Sequence, residues 1–416
     1  MSVRVFLHTF GCRANQYDSE AVAAMVVAGG GSLVATAAEA DVAVFNSCTV
    51  TREAEADLRQ HVRRAARGQP ALKTVVMGCA AARSATELSA LPSVTDVVAG
   101  ADLVAIGAAI GLAPRHGVRA SAAQRGTRGL LRIQDGCDEH CTFCATTLAR
   151  GGNRSRTVES IGTEAFDLSA FHAEIVLTGI HIGTFGADIG SSLGALLAAL
   201  VDRVPGVRFR LSSVEATEVD AQLAELLTGA PARVAPYLHA PLQSGSDALL
   251  RRMGRHWYTA NAYAASVSAL VARAPVFGLG ADLIAGFPGE SDADHAATCA
   301  LVSDLPFTSL HVFPYSPRPG TAALKLDGSV PDDVRRARAA ELRAIGAAKA
   351  ASYATRRAGG TADVIVIGHE DGRRDGLTED YLPVDLASPA PARGTRFRAS
   401  LALSTTHRGL VALPLD

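Results

Sequence analysis

The chain has 416 residues, 48% of them hydrophobic, and its basic and acidic side chains nearly cancel to a net charge of −1. That length exceeds one ordinary core and predicts two or three domains, while the near-neutral charge gives no global sign of a nucleic-acid partner. The longest uncharged apolar stretch, Leu103 to Pro114, is too short to span a bilayer, and the N-terminus lacks the apolar core of a secretory signal, so a soluble cytoplasmic protein with no membrane partner is expected.

Seven cysteines are too sparse for a disulfide scaffold, and six of them fall in two groups within the first 144 residues. The first 110 or so residues repeat one unit three times. Val3, Val5 and Leu7 alternate as a strand, Gly11-Cys12 breaks it, and a helical pattern follows from Ser19 through Met25. Asp41 to Phe45 reads as a second strand, Asn46-Ser47-Cys48 as its loop and Thr51 to Arg67 as a helix. Lys73 to Met77 is a third strand, with Gly78-Cys79 as the turn and an alanine-rich helical stretch after it. Strands alternating with helices predict a parallel sheet with right-handed crossovers. In such a sheet every loop leaving a strand lies along one carboxyl edge, so Cys12, Cys48 and Cys79 are predicted to converge in space.

A polar stretch from Arg115 to Gly129 reads as a linker. Beyond it, strands are predicted at Leu130–Gln134, Glu174–Thr178, Arg208–Ser213, Tyr237–Leu242, Gly278–Ile284 and Leu310–Tyr315. Helical patterns lie between them, at Ala221–Leu227 and Asp292–Leu305 for example, and six such units predict a partial or full α/β barrel. A helix from about Val334 to Arg356 precedes a change of composition near residue 357. Short strands at Val364–Ile367, Tyr381–Leu386, Arg396–Leu403 and Gly409–Leu413 then predict a small all-β module. The expected fold is therefore α/β, with an N-terminal parallel-sheet domain (1–118), a central α/β barrel (123–357) and a C-terminal β-barrel (358–416).

The sharpest local signal is Gly136-Cys137-Asp-Glu-His-Cys141-Thr-Phe-Cys144, on a loop directly after a predicted strand. Three thiolates hold three irons of a 4Fe–4S cubane and leave the fourth iron open, and an aromatic such as Phe143 shields the cluster from water. The competing reading is structural zinc completed by His140. Against it, His140 and Cys141 are adjacent and would not readily face one metal, and zinc sites usually use longer spacings.

Cys-x₃-Cys-x₂-Cys after the first strand of an α/β barrel resembles the radical S-adenosylmethionine superfamily. Thr9-Phe-Gly-Cys12-Arg-Ala-Asn15-Gln-Tyr-Asp-Ser-Glu20, Asn46-Ser-Cys48-Thr-Val-Thr51 and Gly78-Cys79 narrow the resemblance to its methylthiotransferases. So do Arg150-Gly151 with Arg154-Ser-Arg156, Leu177-Thr-Gly-Ile-His181, Pro241-Leu-Gln-Ser-Gly-Ser-Asp247, Asp282 to Glu290 and Pro314 to Thr321. The match covers essentially the whole chain, and the C-terminal module is similar to the TRAM domain, an RNA-binding β-barrel. The resemblance implies two 4Fe–4S clusters. One, on Cys137, Cys141 and Cys144, would reduce S-adenosylmethionine to a hydrogen-abstracting radical. The other, on Cys12, Cys48 and Cys79, would supply sulfur, and a second S-adenosylmethionine the methyl group.

Gly179, Ser213, Glu215, Gln243 and Ser244, which follow barrel strands at the same face, are candidates for binding S-adenosylmethionine or equally for shaping turns. Gly286 and Gly289 carry the same two readings. His181, His239 and His311 read as packing or hydrogen-bonding residues, and Cys299 as a small buried hydrophobe. Two departures from the family pattern, Ala145 to Arg150 after Cys144 and three alanines after Cys79, remove no ligand but alter the surroundings of the substrate base.

The family's substrates are an isopentenylated or a threonylcarbamoylated tRNA adenosine, or an aspartate of a ribosomal protein. Cys12 to Asp18, Thr49 to Thr51 and Gly376 to Tyr381 look most like the enzymes of threonylcarbamoyladenosine, which act at C2 of nucleoside 37. The implied partners are the tRNA anticodon stem-loop and an electron donor such as flavodoxin or ferredoxin, with the sulfur donor unknown. Arg150, Arg154 and Arg156 flank the cysteine loop and are candidates for phosphate contacts, as is the stretch from Arg335 to Arg357, which reads equally as a solvated helix face. Asp371, Asp375, Glu379 and Asp380 make the terminal module non-basic. The different-class alternative is a non-catalytic, zinc-containing RNA-binding protein.

Overall fold

The computed structural model describes residues 2–49, 51–113, 119–122, 124–368, 375–404 and 409–415. At the N-terminus, strands β1 (Arg4–Thr9), β2 (Ser32–Val34), β3 (Val42–Ser47), β4 (Lys73–Gly78) and β5 (Val94–Ala99) form a wholly parallel sheet in the order β2-β1-β3-β4-β5. The three predicted strands are its centre, and the two the sequence reading missed are its edges. β5 is half-exposed and β2 has only three residues, so neither carries a strong apolar signal. β3 is buried along its whole length, and its alternate side chains feed two cores. Ala43 and Phe45 pack with Leu58 and Val62 of the helix Arg52–Gly68, while Val42 and Val44 pack with Val22, Met25 and Val26 of the helix Arg13–Ala28. Thr51 caps the former helix by accepting from the Ala54 N–H at 3.2 Å.

The predicted linker is partly outside the described residues. From Gln124 onward it folds back, its side chain bonding both the N–H and the carbonyl of Leu130 at 2.7 Å. All six expected barrel strands are present, as β6 (Gly129–Arg132), β9 (Glu174–Thr178), β10 (Arg208–Leu211), β11 (Tyr237–His239), β12 (Gly278–Ala285) and β13 (Ser309–Pro314). A two-residue ribbon, β7 (Gln134–Asp135) with β8 (Arg154–Ser155), closes the base of the cysteine loop. The barrel strands are parallel and lie in chain order, as two three-stranded sheets joined by the bridges Phe209–Val234 and Ser213–His239. Among the described residues β6 and β13 do not pair, so the barrel is open on that side. Five crossover helices begin at Thr157, Ser192, Asp220, Thr259 or Ser291, each accepting a backbone N–H of its own first turn.

The C-terminal module is a closed five-stranded barrel of β14 (Thr361–Val366), β15 (Asp375–Leu377), β16 (Pro383–Leu386), β17 (Arg396–Leu403) and β18 (Leu410–Pro414), one strand more than predicted. It docks on the amino ends of the central strands. Arg210 donates to the carbonyls of Thr378 and Glu379 at 3.1 Å, and the Tyr381 ring stacks on Tyr237 at 4.5 Å. The acidic turn of this module is neutralised by the last turns of the helix before it, Asp332–Arg357. Asp380 accepts from Tyr353 at 2.7 Å and from Arg357 at 2.9 Å, and Glu379 accepts from Arg357 at 3.2 Å, while Asp371 lies outside the described residues. No helix among the described residues is long and apolar enough to cross a membrane.

Candidate active site

Cys12, Cys48 and Cys79 leave β1, β3 and β4, three adjacent parallel strands, at their carboxyl ends. Two glycines let those ends crowd together. A Cβ on Gly11, at φ +95°, would come 2.5 Å from the Cys48 sulfur, and one on Gly78, at φ +92°, would meet Asn46 Oδ1 at 2.4 Å. Asn15 sits between the loops. Its Nδ2 donates to the carbonyls of Phe10 and Ser47 at 2.9 Å, and its Oδ1 lies 4.0 Å from the Cys12 sulfur and 3.8 Å from that of Cys79. The predicted convergence is observed.

The second cysteine loop is held at both ends. The Cys137 N–H donates to Gly151 O at 2.9 Å, and Gly136 has no room for a Cβ, which would fall 1.9 Å from Gly152 O. Further along, Thr142 pairs with Met253 and Ala323 through backbone bonds of 2.8 Å. Two of the loop's three sulfurs also have a local partner. Cys137 lies 3.4 Å from His181 Nδ1, and Cys141 accepts from Arg255 at 3.4 Å. Burial pushes the Cys141 thiol up to about 12 against the pull of Arg255, and it raises Cys79 likewise against Arg150. Thiols of this kind give up their protons readily only when a metal replaces them.

A single tetrahedral ion needs sulfurs about 3.8 Å apart, from Zn–S bonds of roughly 2.3 Å, whereas a cubane spreads its ligands over separate irons. Among the described residues, two sets of three side chains bring their ligand atoms within 4.8 Å of one another, and neither is a cysteine triad. His140 is exposed. The donor sets fit two clusters better than one zinc.

The sets of ligand-like atoms that do close are His239–Asp282–His311 and His295–Cys299–Glu341. Asp282 accepts from His239 Nε2 at 3.0 Å and His311 Nδ1 at 3.3 Å; burial opposes it, but these bonds hold its carboxyl below the usual range. Cys299 is half-buried, against the barrel core and 3.5 Å from His295.

A cavity of about 540 Å³ has Thr51, Phe143, Gln243, Asp282, Tyr315 and Arg318 in its wall, and none of the six cysteines lines it. Of the five cofactor candidates, Gln243 lines it, at φ +66°. Glu215 is buried and paired with Arg255 at 2.5 Å, so it reaches the Cys141 sulfur through that guanidinium. Ser213 is exposed and forms the bridge to His239. Ser244 is buried, its hydroxyl engaged by Thr298 at 3.2 Å and by the Ser246 N–H at 3.1 Å. Gly179 packs on Gln134, whose carbonyl a Cβ would meet at 2.7 Å. Gly286 and Gly289 pack against Arg335 and Arg252, with φ of +73° and +87°.

Arg150 is not a phosphate contact. It is 7% exposed and donates to the Cys79 sulfur at 3.3 Å, to Asn15 and Asp18 at 2.7 Å and to Asp135 at 3.3 Å. It therefore ties the helix after one cysteine loop to the other triad. Arg156 is also engaged, 2.7 Å from Glu164, while Arg154 stays 61% exposed. Arg150→Ala is expected to lower unfolding stability by about 3 kcal/mol, because Asp18 is buried and would keep only Arg132. Arg154→Ala should stay within about 0.5 kcal/mol, and urea unfolding of the two variants checks the contrast.

The family described as "Uncharacterized protein family UPF0004" matches residues 4–100, and the "Radical SAM superfamily" matches residues 131–302. Threonylcarbamoyladenosine tRNA methylthiotransferase MtaB of Thermotoga maritima is 36% identical over 80% of each chain, and that of Bacillus subtilis is 35% identical over 91% of this chain and 89% of its own. The chain belongs to the radical S-adenosylmethionine methylthiotransferase family. It is accordingly an enzyme, a transferase, and the cofactors of a radical S-adenosylmethionine methylthiotransferase are two 4Fe–4S clusters and S-adenosylmethionine. The tRNA-2-methylthio-N(6)-dimethylallyladenosine synthase of Sorangium cellulosum is nearly as similar, at 34% identity over 90% of this chain and 83% of its own. A solved structure of the radical S-adenosylmethionine methyltransferase TsrM from Kitasatospora setae shares the fold, with a TM-score of 0.58 at 16% identity, over 78% of this chain and 77% of that one.

Sequence reasoning passed over Arg255 and Arg318, whereas it read His239 and His311 as packing or hydrogen-bonding residues, and both hydrogen-bond Asp282. The histidines carried a signal, since each sits on a barrel strand that runs toward the cysteine loops. Arg255 carried none, because its role depends on Glu215 and Cys141, both distant in sequence.

Proposed function

We propose that this enzyme inserts sulfur and a methyl group at C2 of N6-threonylcarbamoyladenosine-37 in tRNA, giving the 2-methylthio derivative. The observation that carries the reading is the closeness of the two three-cysteine loops, since Arg150, on the helix after the second, donates to the Cys79 sulfur of the first at 3.3 Å. Cys137, Cys141 and Cys144 would hold the cluster that engages S-adenosylmethionine, and Cys12, Cys48 and Cys79 the auxiliary one. When bound, these groups supply hydrogen abstraction from the C2–H bond, sulfur and a methyl group.

The protein positions them and keeps water out. Arg255 fixes the Cys141 side through the Glu215 pair, His181 bridges Cys137 and Glu218, and Phe143 stacks edge-on to Phe287 at 6.4 Å to close the apolar flank. Gln243 and Asp282 offer polar groups to the cavity, and Gly179 and Ser213 shape the neighbouring loops. The C-terminal barrel is read as a TRAM-like contact to the anticodon stem-loop, the compartment as cytoplasmic, and the electron donor as a flavodoxin or ferredoxin.

Nucleoside analysis of tRNA from cells lacking the gene tests this. Loss of 2-methylthio-N6-threonylcarbamoyladenosine with accumulation of its unthiolated precursor is expected. Loss of the 2-methylthio-isopentenyl nucleoside instead would favour the second reading, which the Sorangium relative keeps in view.

A further inference from the structure

The helix Asp292–Asp304, which follows β12, carries His295 and Cys299 four residues apart and therefore on one face. That helix packs on the helix Asp332–Arg357, which leads into the C-terminal barrel. Three contacts at a constant offset of 46 residues hold the two helices parallel and in register. Arg338 donates to Asp292 at 2.6 Å, His295 Nε2 lies 2.8 Å from Glu341 Oε2, and Lys349 donates to the Ser303 carbonyl at 2.5 Å. His295 is buried and Cys299 half-buried against the barrel core, while the Glu341 side chain is 61% exposed, so the group opens to solvent on the Glu341 side.

Two ligand-type atoms converge on one nitrogen here. Besides Glu341 Oε2, the Cys299 sulfur lies 3.5 Å from His295 Nε2, and the three atoms all lie within 4.8 Å of one another. An imidazole nitrogen has a single in-plane position, for a proton or a lone pair, so a hydrogen bond serves only one of these neighbours. A metal ion in that position serves both. With Zn–S bonds of about 2.3 Å and Zn–N and Zn–O bonds of about 2.0 Å, tetrahedral coordination sets N and S about 3.5 Å apart and N and O about 3.3 Å apart. The first separation is already present, and the second needs an exposed glutamate to retreat by about 0.5 Å. Imidazole, thiolate and carboxylate together suit a borderline-soft ion, whereas Mg²⁺ and Ca²⁺ prefer oxygen alone. Burial, with the carboxylates of Glu341 and Glu290, holds the Cys299 thiol above its usual range, so an incoming ion must release that proton to solvent.

We propose that His295, Cys299 and Glu341 bind one zinc-class divalent ion across the two helices, at a site separate from both cysteine triads, with water in the fourth position. None of the three lies in the motifs shared with the methylthiotransferases, so the site is an addition to the sulfur-insertion machinery rather than part of it. His295 Nδ1 is buried without a partner among the described residues. The ring thus lacks the second hydrogen bond that tight zinc sites give their histidines, and micromolar rather than structural affinity is expected.

Metal counting on the intact protein tests this. Anaerobic, cluster-loaded protein is stripped of loosely held metal with a weak chelator and equilibrated with micromolar zinc chloride, and its bound zinc and iron are measured by mass spectrometry. About one zinc per chain is expected, with iron unchanged at about eight. The zinc K-edge absorption spectrum should show one sulfur at about 2.3 Å among nitrogen and oxygen ligands. Cys299→Ala and Glu341→Gln should each weaken zinc binding by about tenfold or more, with iron content and far-ultraviolet circular dichroism unchanged. Zinc held by three or more sulfurs would place the ion in an emptied cluster loop and overturn the proposal. So would zinc binding that neither substitution weakens, or a wild type that retains no zinc.

Discussion

Glu174→Ala is expected to destabilise the protein by about 3–5 kcal/mol, because it strands two fully buried guanidinium groups. Glu174 begins β9 and, like Arg208 and Arg210 on neighbouring β10, has no exposed side-chain surface. Arg208 Nε donates to it at 2.7 Å and Arg210 Nε at 2.8 Å. Burial alone would push this carboxyl up, but the arginines outweigh it and hold it below the carboxylate range. The two arginines also carry the C-terminal barrel, Arg208 through the Asp363 carbonyl at 2.9 Å and Arg210 through Thr378 and Glu379. Urea unfolding should therefore show a lower midpoint, and limited proteolysis should release a fragment beginning near residue 358. A loss below about 1 kcal/mol would mean that the arginines find other partners. Since the folded-state pKa is depressed, the stabilisation is complete above the ordinary value of 4.5 and is lost as the pH falls below it, so wild type and variant should converge in acid.

Replacing Cys12, Cys48 and Cys79 together by alanine is expected to halve the iron, from about eight to about four per chain, and to abolish methylthiolation. Reductive cleavage of S-adenosylmethionine should survive. The complementary Cys137/Cys141/Cys144→Ala protein should also keep about four irons but lose both reactions. Independence is expected because the two scaffolds differ. Gly11, Asn15 and Gly78 assemble the first triad at a sheet edge, while the β7–β8 ribbon and Met253 hold the second loop. Iron and sulfide analysis of anaerobically purified proteins, with their spin-resonance spectra, checks this. Zinc in place of iron would sink the assignment, and loss of all iron from either variant would mean a single shared site.

The sequence was most legible where one physical rule acted over short range. Alternating strand-like and helical patterns placed the six barrel strands and the helices at Arg52–Gly68, Ala221–Gly229 and Asp292–Asp304 within a few residues. It was least legible at β2, β5 and β15, which are short or half-exposed and gain their pairing from neighbours rather than from their own apolar content. The alanine-rich stretch after Cys79 read as helical, but it turns until Ser84 and makes only the short helix Ala85–Ser89, since Ser47 Oγ accepts the N–H groups of Ala80 and Ala81 at 3.1 Å.

What the sequence determined by itself was the meeting of three distant cysteines. Parallel βα units leave their loops on one edge whatever the intervening residues, so alternation alone brings Cys12, Cys48 and Cys79 together. What only the tertiary structure decided was the fate of the arginines. Among 40 basic and 41 acidic residues, nothing local distinguishes Arg154, in solvent, from Arg150, buried against Cys79, or from Arg318, held by Glu55 263 positions away. A charged side chain's role is set by desolvation and by which partner the fold places within about 4 Å, and both are properties of the packed molecule rather than of the chain.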